Sequence, residues 1–439
     1  MSNPFNYRFI TFKILIHHIN NDSRLYESID KYLKYNNISQ RDKNLIIYSV
    51  QGVVRNLSSI DFILSSLINK YLKSIPLNIK TILRIGVFQI KHMNLKNYAI
   101  INELVEISKK QNIVFSKLVN AVLRKTILFN LSYNENNLSE EAKFLNHPVW
   151  LYKKWIEDHN KSFAKKLIKW NNNIPTIWFR VNTILYSKND FEYLLNKNKI
   201  KFNAYKYNKL YYKTSNPSFL LNNKIFKTGK ITIQNPFSGF VCKLLNPLAN
   251  EIIIDACASP GGKTAYISEL MENKGKIYAY DLNAKRISLL DKTLDRMKIT
   301  NVETKIKDVS SEKIKYADKI LLDVPCTGTG VLNKYPDIKW RKSIENLNEM
   351  ISIQSKILQN TSKYLKLGGI IVYSTCSIER EENNDVINNF LKNNRNFSIV
   401  KIEDSIPKAF INKLGQFNTI PFIDEIDGGY ATVLIKNDI

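Results

Sequence analysis

From residue 230 to residue 439 the sequence alternates short apolar segments with helical segments, and this order constrains the fold more than any other feature. Apolar segments typical of strands cover residues 251–256, 276–281, 319–323, 369–375 and 430–436. Segments with helical spacing, at residues 263–271 and 284–297, follow the first two. Repeated strand–helix–strand units form a doubly wound parallel sheet whose ligands bind beyond the carboxyl ends of the strands. The sequence therefore predicts an α/β, Rossmann-like domain over residues 230–439.

The first strand continues into a glycine turn, DACASPGGKT, at residues 255–264. Glycines let the backbone approach a ligand closely, and the following helix aims its free N–H groups at the same place. A phosphate-binding P-loop would need a glycine where this sequence has Cys257, and the G-x-G-x-x-G dinucleotide fingerprint is absent. Both common nucleotide loops are therefore excluded, whereas a simple tight turn remains an alternative.

Acidic residues lie at the ends of successive predicted strands. Asp281 closes the second strand, 26 residues after Asp255, and an acid at that place can accept both hydroxyls of a ribose. Asp308, in the sequence IKDVSS, is placed to bind an adenine amino group. One acid at a strand end is often only a helix cap. Three acids at successive strand ends behind a glycine turn favour an adenosyl ligand.

Two cysteines also fall at predicted strand ends. Cys326 lies in LLDVPCTGTG, three residues after Asp323, and Cys376 lies in YSTCS. A free cysteine is most often a small buried apolar side chain, and the spacing of 50 residues without an adjacent histidine disfavours a metal site. We predict that both thiols face the crevice of the adenosyl ligand, where a nucleophile would be needed. Residue chemistry leaves the two cysteines equally eligible for that role.

The N-terminal part has a different texture. Residues 1–131 show helical spacing without strand-like alternation, as in residues 42–67, and predict an all-α bundle of five to seven helices. A polar stretch at residues 132–146 is typical of a linker. Residues 147–229 combine an aromatic helix with short strand-like pieces at 177–182 and 209–213, which predicts a small α+β subdomain.

Composition adds two expectations. A net charge of +26, from 65 basic and 39 acidic residues, suggests a nucleic-acid partner. The excess of Lys, Asn and Ile would also follow from an A- and T-rich genome, so the charge alone decides nothing. Four cysteines, none of them two residues apart, favour a reduced, cytoplasmic setting. No run approaches the roughly 18 apolar residues of a membrane span, so we expect no membrane partner.

Taken together, the motifs closely resemble the Sun/Fmu family of RNA cytosine-5 methyltransferases. DACASPGGKT, DVPCTGTG with the later YPDIKW, and YSTCS match the family's motifs in order and spacing. The resemblance implies a class I methyltransferase domain with S-adenosyl-L-methionine as cofactor and no metal. By similarity the cofactor-binding residues are Cys257, Ala258, Ser259, Pro260, Gly261, Gly262, Lys263, Asp281, Asp308 and Asp323.

The resemblance also implies catalytic roles. Cys376 would be the covalent nucleophile, Cys326 would assist release of the methylated product, and Asp323 would lie between cofactor and target base. DNA cytosine-5 methyltransferases use the Pro-Cys cysteine instead, so this division rests on the family alone. Ser259 replaces a usual alanine, which we expect to be neutral. Relatives usually carry a bulkier aromatic pair where this chain has Gly429 and Tyr430, so we expect a slightly different crevice there.

The N-terminal segments DKNLIIYSVQGVVRNLSSIDFIL, ILRIGVFQIKHMN and KLVNAVLRK resemble a NusB-like RNA-binding domain. The stretch from HPVWLYKKW to WFRVNT resembles the family's small RNA-binding subdomain. This order implies an enzyme that acts on 16S ribosomal RNA. We expect a monomer, although no motif in the sequence fixes the oligomeric state. A tRNA substrate is the nearest alternative. A non-catalytic RNA-binding protein is an alternative of another class, against which the intact Asp281, Asp323, Cys326 and Cys376 argue.

Overall fold

The computed structural model describes residues 6–34, 38–68, 74–130, 132–402 and 406–438. These residues form two compact units. The first is drawn from residues 1–173 and 332–341, and the second from residues 174–331 and 342–439. The predicted domain ends at residues 1, 131 and 439 lie outside the described residues.

Helices make up most of the described chain. They are α1 (Tyr7–Asn20), α2 (Leu25–Leu33), α3 (Gln40–Arg55), α4 (Leu57–Ile68), α5 (Leu77–His92), α6 (Asn97–Gln111), α7 (Ser116–Leu128), α8 (Leu138–Phe144), α9 (Val149–Asp158), α10 (Lys161–Asn171), α11 (Lys188–Lys197), α12 (Pro217–Asn222), α13 (Lys224–Lys227), α14 (Pro236–Leu245), α15 (Gly262–Leu270), α16 (Ala284–Met297), α17 (Ile338–Arg341), α18 (Ile344–Thr361), α19 (Asn384–Asn393) and α20 (Pro421–Asp424).

The strands fall in the second unit. They are β1 (Phe179–Val181), β2 (Phe202–Tyr205), β3 (Asn208–Thr214), β4 (Ile231–Ile233), β5 (Ile252–Asp255), β6 (Lys276–Asp281), β7 (Val302–Ile306), β8 (Ala317–Asp323), β9 (Leu365–Thr375), β10 (Phe397–Val400), β11 (Phe417–Thr419) and β12 (Gly429–Lys436).

The first unit is helical. Helices α1 to α7 occupy its described residues up to 130, so the predicted bundle of five to seven helices is confirmed. Their apolar faces enclose one core of buried aliphatic side chains. The apolar segment at residues 42–67 forms two helices rather than one. Helix α3 ends at Arg55 because the backbone of Asn56 leaves helical geometry, with φ −104° and ψ 22°, and the Asn56 side chain donates to Gly52 O at 2.8 Å.

The stretch predicted as a linker, residues 132–146, contains α8. The side chain of Glu141 in this helix is fully buried and pairs with Lys161 at 2.9 Å and with Lys165 at 2.7 Å. The two lysines flank the first turn of α10, so these contacts hold α8 against α10. The polar composition of residues 132–146 hid this short helix. The division into units keeps α9 and α10 with the helical unit, whereas the sequence predicts a boundary at residue 147.

A short segment from the C-terminal half of the sequence, residues 332–341, belongs to the first unit. Trp340 Nε1 donates to Val54 O at 2.7 Å, and Lys339 Nζ donates to Arg55 O at 3.0 Å. Arg55 Nη2 in turn donates to Asn333 O at 2.8 Å. The last carbonyl groups of a helix have no partner within it, and the segment supplies donors to these carbonyls of α3.

The second unit contains a small antiparallel sheet in the order β2-β3-β1-β4. Phe179 in β1 pairs with Tyr212 in β3 and Ile233 in β4. The side chains of Phe179 and Tyr212 are fully buried and form a core with Phe191 of α11. The sequence predicted β1 and β3, but it missed β2 and β4, which have only four and three residues.

A larger sheet of the second unit has the strand order β10-β12-β9-β8-β5-β6-β7. Strands β5, β6, β7, β8 and β9 run parallel to one another. Strand β12 pairs antiparallel with β9, β10 and β11. The chain order reverses on the two sides of β5, and such a reversal opens a ligand crevice at the carboxyl edge. The α/β domain predicted from the strand–helix order is confirmed. The structure adds the antiparallel strands β10, β11 and β12 on the β9 side of the sheet. Among the described residues, no helix is both long and apolar enough to cross a membrane.

Candidate active site

The carboxyl ends of four neighbouring parallel strands carry the predicted site residues. β5 ends at Asp255, β6 at Asp281, β8 at Asp323 and β9 at Thr375, directly before Cys376. The strands are in register at this edge, because Asp255 lies opposite both Ala279 and Leu321. The structure therefore brings the predicted acids and cysteines to one edge of one sheet.

The glycine turn connects β5 to α15 at the middle of this edge. Gly261 has a φ of +99°, and a Cβ added there would lie 2.7 Å from a side-chain carbon of Leu290. Only glycine fits such a position without strain. Helix α15 begins at the next residue, so its first N–H groups face the edge. Earlier in the turn, Ala258 N donates to Tyr280 O at 2.9 Å and ties the loop to β6.

Asp281, at the tip of β6, is a well-anchored carboxylate. It accepts hydrogen bonds from Ser259 N at 3.0 Å, Leu282 N at 2.8 Å and Arg286 Nε at 2.5 Å. Ser259 Oγ donates to Arg286 O at 2.9 Å, a bond that the usual alanine could not make. The serine thus ties the glycine turn to α16. Arg286 was missed in the sequence because it looks like any basic residue on a polar helix.

Asp308 lies two residues beyond the end of β7 and is half-buried. Its carboxylate accepts bonds from the backbone N–H and the hydroxyl of Ser310 and from the hydroxyl of Ser311. The bonds from Ser310 hold the pKa of Asp308 below its ordinary value. Asp308 therefore remains ionised at neutral pH.

Lys263 and Asp323 form an ion pair across the edge, with 2.7 Å between Nζ and Oδ2. Burial alone would lower the pKa of Lys263, but the charge of Asp323 and the hydrogen bond to it raise that pKa above its ordinary value, with smaller contributions from Cys242 and Cys376. Lys263 is therefore a cation paired with Asp323. The sequence assigned Lys263 only to cofactor binding and gave no sign that two cysteines lie near its ammonium group.

The two predicted catalytic cysteines are neighbours, with 3.2 Å between Cys326 Sγ and Cys376 Sγ. The hydrogen bond to Cys376, burial and the nearby charge of Glu382 raise the pKa of Cys326 well above its ordinary value. Burial also raises the pKa of Cys257 and of Cys242. Three of the four cysteines are therefore held as thiols. The Lys263 ammonium interacts electrostatically with the fully buried Cys242 and with the half-buried Cys376.

Close backbone contacts fix the turn after Cys376. Gly330 N donates to Cys376 O at 3.0 Å, and a Cβ on Gly330 would lie 2.1 Å from Gly428 O. At Gly429 a Cβ would lie 2.5 Å from the ring of Phe237. The Phe237 ring therefore fills the space over Gly429.

Three parts of the chain match family models. Residues 242–435 match 16S rRNA methyltransferase RsmB/F, residues 6–128 match the NusB family, and residues 147–209 match the ferredoxin-like domain of RsmF/B-like methyltransferases. A ribosomal RNA small subunit methyltransferase B from Photorhabdus laumondii subsp. laumondii is 30% identical over 424 residues, which are 94% of this chain and 97% of that protein. The chain belongs to the RsmB/F methyltransferase family.

Other comparisons agree with this RsmB/F assignment. A ribosomal RNA small subunit methyltransferase B from Proteus mirabilis (strain HI4320) is 30% identical over 399 residues, with 89% of this chain and 92% of that protein covered. The crystal structure of a methyltransferase homolog protein from Pyrococcus horikoshii is 27% identical, with a TM-score of 0.60 over 69% of this chain and 100% of that chain. The predicted NusB-like bundle, small α+β subdomain and methyltransferase domain are confirmed as fold classes.

The carboxyl edge of this RsmB/F-family sheet fits an adenosyl cofactor. The first N–H groups of α15, directly after Gly261, face this edge. Asp281 presents its carboxylate at the tip of β6, where a ribose can bind. Asp255 Oδ1 is buried, and no described donor lies within hydrogen-bonding distance of it. These three features suit a nucleoside ligand better than they suit a solvent-filled turn.

Asp255 makes the stability of this RsmB/F-family enzyme depend on pH. Burial raises its pKa to about 7, although Thr264 Oγ1 donates to Oδ2 at 2.7 Å. Because the pKa of Asp255 is higher in the folded than in the unfolded protein, protonation of Asp255 favours the folded state. This contribution to the free energy of unfolding is complete below about pH 4 and is lost as the pH rises through about 7. Asp255→Asn keeps a hydrogen-bond acceptor and removes the charge. Between pH 4 and pH 8 the free energy of unfolding of wild type should therefore fall by up to about 4 kcal/mol more than that of Asp255→Asn.

The measurement is the melting temperature of the protein without cofactor at pH 5 and pH 8. Asp308→Asn is the matched control, because the lowered pKa of Asp308 stabilises the fold at high pH and not at low pH. Its melting temperature should fall relative to wild type at pH 8. An Asp255→Asn profile parallel to that of wild type would show that the carboxyl group is not a buried, raised-pKa acid.

Proposed function

We propose that this RsmB/F-family enzyme transfers a methyl group to carbon-5 of a specific cytosine in 16S rRNA through a covalent cysteine–cytosine intermediate. The observation that carries the proposal is the pair of thiols 3.2 Å apart at the sheet edge, beside the Lys263–Asp323 ion pair. The curated relatives with 30% identity are named ribosomal RNA small subunit methyltransferases B, which favours rRNA over tRNA.

The cofactor residues follow from the family resemblance, and their place at the edge of the sheet supports the assignment. Asp281 would bind the ribose hydroxyls and Asp308 the adenine amino group, while the turn from Cys257 to Lys263 would contact the ligand. S-adenosyl-L-methionine, when bound, supplies the methyl group. The N–H groups at the start of α15 would orient the ligand.

Carbon-5 of cytosine is too poor a nucleophile to accept the methyl group unaided, so a covalent step must activate it. The Cys376 thiolate adds to carbon-6, which forms a carbon–sulfur bond and makes carbon-5 electron-rich. After transfer, a base removes the carbon-5 proton, the carbon–sulfur bond breaks, and its electron pair returns to Cys376. The Lys263 ammonium, which interacts electrostatically with Cys376, would stabilise a thiolate at both ends of this cycle.

Asp323 and Cys326 complete the assignment. The Asp323 carboxylate can accept a hydrogen bond from the polar edge of cytosine, and Lys263 holds it in place at 2.7 Å. Cys326 lies 3.2 Å from Cys376 Sγ, within reach of the bond that must break, which supports a role in product release. The target base must leave its stack to reach this edge. We propose that the enzyme acts in the cytoplasm and as a monomer.

The test is bisulfite sequencing of total rRNA and tRNA from cells with and without the gene. We expect one cytosine of 16S rRNA to resist conversion in wild-type cells and to convert fully in the deletion strain. A plasmid with the wild-type gene should restore the protection, and one with Cys376→Ala should not. Loss of protection at a tRNA cytosine, with 16S rRNA unchanged, would reject the rRNA substrate.

A further inference from the structure

A buried carboxylate, Glu382, lies close to the two cysteines and has no role in the mechanism above. Its side chain is 0% exposed, in the 3₁₀ turn Arg380–Glu382 before α19. In the part of the chain that the structure describes, no basic side chain forms an ion pair with it. Burial of a carboxylate without a counter-ion is costly unless hydrogen bonds replace its hydration. The partners that supply those bonds therefore indicate what the residue does.

The hydrogen bonds to the Glu382 carboxylate converge on the turn that carries Cys326. Oε1 accepts bonds from Thr327 N at 2.8 Å and from Gln354 Nε2 at 2.9 Å. Oε2 accepts a bond from Thr327 Oγ1. Gln354 Nε2 also donates to Pro325 O at 2.9 Å. Both neighbours of Cys326 are thus held by bonds that meet at one carboxylate.

The same network extends to the other cysteine through Ser377. Ser377 Oγ lies 3.2 Å from Thr327 Oγ1 and 3.1 Å from Thr329 Oγ1. Ser377 follows Cys376 directly in the chain. The connection from Glu382 through Thr327 to Ser377 therefore fixes the spacing between the two turns that carry the thiols.

The charges around the two thiols have opposite signs. The Cys326 turn is bonded to the Glu382 carboxylate, whose charge acts on that thiol. Cys376 instead interacts electrostatically with the Lys263 ammonium, which also acts on the fully buried Cys242. A thiolate forms where a neighbouring cation stabilises it and is disfavoured beside a buried anion. This asymmetry agrees with the division of roles that the family resemblance implies, and it arises from different residues.

We propose that Glu382 is a positioning residue that fixes the Pro325–Thr327 turn and so reserves Cys326 for product release while Cys376 attacks the base. The proposal rests on the proposed function, because it concerns the two cysteines named there. Glu382 acts through Thr327 and touches neither cofactor nor substrate.

The first experiment uses Glu382→Gln, which removes the charge at nearly constant volume. With a 16S rRNA transcript and labelled S-adenosyl-L-methionine, we expect the first methyl transfer to remain close to wild type. Multiple turnover should fall between about tenfold and about a hundredfold, the scale expected when a reacting group is misplaced. A covalent protein–RNA adduct should accumulate and appear as a shifted band on a denaturing gel.

A second readout follows the thiols themselves in the full-length protein. Limited alkylation with iodoacetamide, read by mass spectrometry, should label Cys376 before Cys326 in wild type, and Glu382→Gln should narrow that difference. Thr327→Val removes only the hydroxyl that donates to Glu382. It should change adduct accumulation and the alkylation order in the same direction as Glu382→Gln, but by a smaller amount. Tyr373→Phe is the matched control, since its hydroxyl donates to Glu382 O at 2.7 Å and not to the carboxylate. It should keep wild-type turnover and labelling order.

Equal losses of first transfer and of turnover in Glu382→Gln, with an unchanged labelling order, would overturn the positioning role. The same would follow if Tyr373→Phe reproduced the adduct, because any disturbance of the network would then suffice. Failure of the proposed function has a different signature. In that case Cys376→Ala would retain methyl transfer, whatever the result for Glu382→Gln.

Discussion

Replacement of Cys376 by alanine is expected to lower methyl transfer by a factor on the order of 10⁴ or more, the loss typical of a removed covalent nucleophile. Burial and neighbouring groups raise the pKa of Cys242, Cys257 and Cys326 and keep them as thiols. Cys376 is half-buried and interacts electrostatically with the Lys263 cation. No second thiolate is available to add to carbon-6. The measurement is incorporation of labelled methyl into a 16S rRNA transcript, with cofactor and RNA both saturating.

Cys326→Ala should fail in a different way. Attack by Cys376 remains possible, so a covalent protein–RNA adduct should form and persist because its release is impaired. Cys242→Ala is the control, since this fully buried cysteine lies outside the proposed mechanism, and it should retain turnover. If the adduct appeared with Cys376→Ala and not with Cys326→Ala, the two roles would have to be exchanged.

The largest effect on stability is expected from Arg180→Met. The Arg180 guanidinium is 0% exposed, lies 2.6 Å from Glu269 Oε2, and donates from Nε to Gln234 Oε1 at 2.6 Å. It also stacks over the Tyr266 ring at 4.1 Å. Methionine would leave Glu269 buried without a counter-ion, which costs about 3–5 kcal/mol. Because β1 holds Arg180 and α15 holds Glu269, this pair joins the small sheet to the helix after the glycine turn.

The melting temperature of Arg180→Met should fall by about 10 °C, from the usual shift per kcal/mol for domains of this size. The double variant Arg180→Met with Glu269→Gln should recover part of the loss, because the stranded charge is removed. Glu272→Gln on the exposed surface nearby is the control and should melt like wild type. A single variant that melts within one degree or so of wild type would mean that the pair contributes no net stability.

The sequence predicted the central strands well because their ends carry chemical markers. Strand β6 and helix α16 were predicted to the residue, since Asp281 ends the strand and Asn283 caps the helix. The strand ends also predicted that the acidic residues and the two cysteines lie together, because parallel strands share one carboxyl edge. Strands β2 and β4 were missed because they become strands by pairing with β3 and β1, and the local sequence does not show these pairings.

Partners distant in the sequence account for what could not be predicted at the site. Glu382 lies in the acidic run EREEN, which looks solvated, and only the fold buries it. Its bonds to Thr327 span 55 residues. Residues 332–341 were assigned to the catalytic domain by position, but their hydrogen bonds join groups 278 to 286 residues apart. Local patterns carry no information about such contacts.

The placement of residues 332–341 has a consequence for how this protein can be divided. The chain passes between the two units at three points, near residues 173, 331 and 341, so neither unit is a continuous stretch of sequence. A gene fragment that stops near residue 173 would encode the helices without the donors that satisfy the last carbonyls of α3. We therefore expect the N-terminal helices expressed alone to lack hydrogen bonds that the full chain supplies to the end of α3.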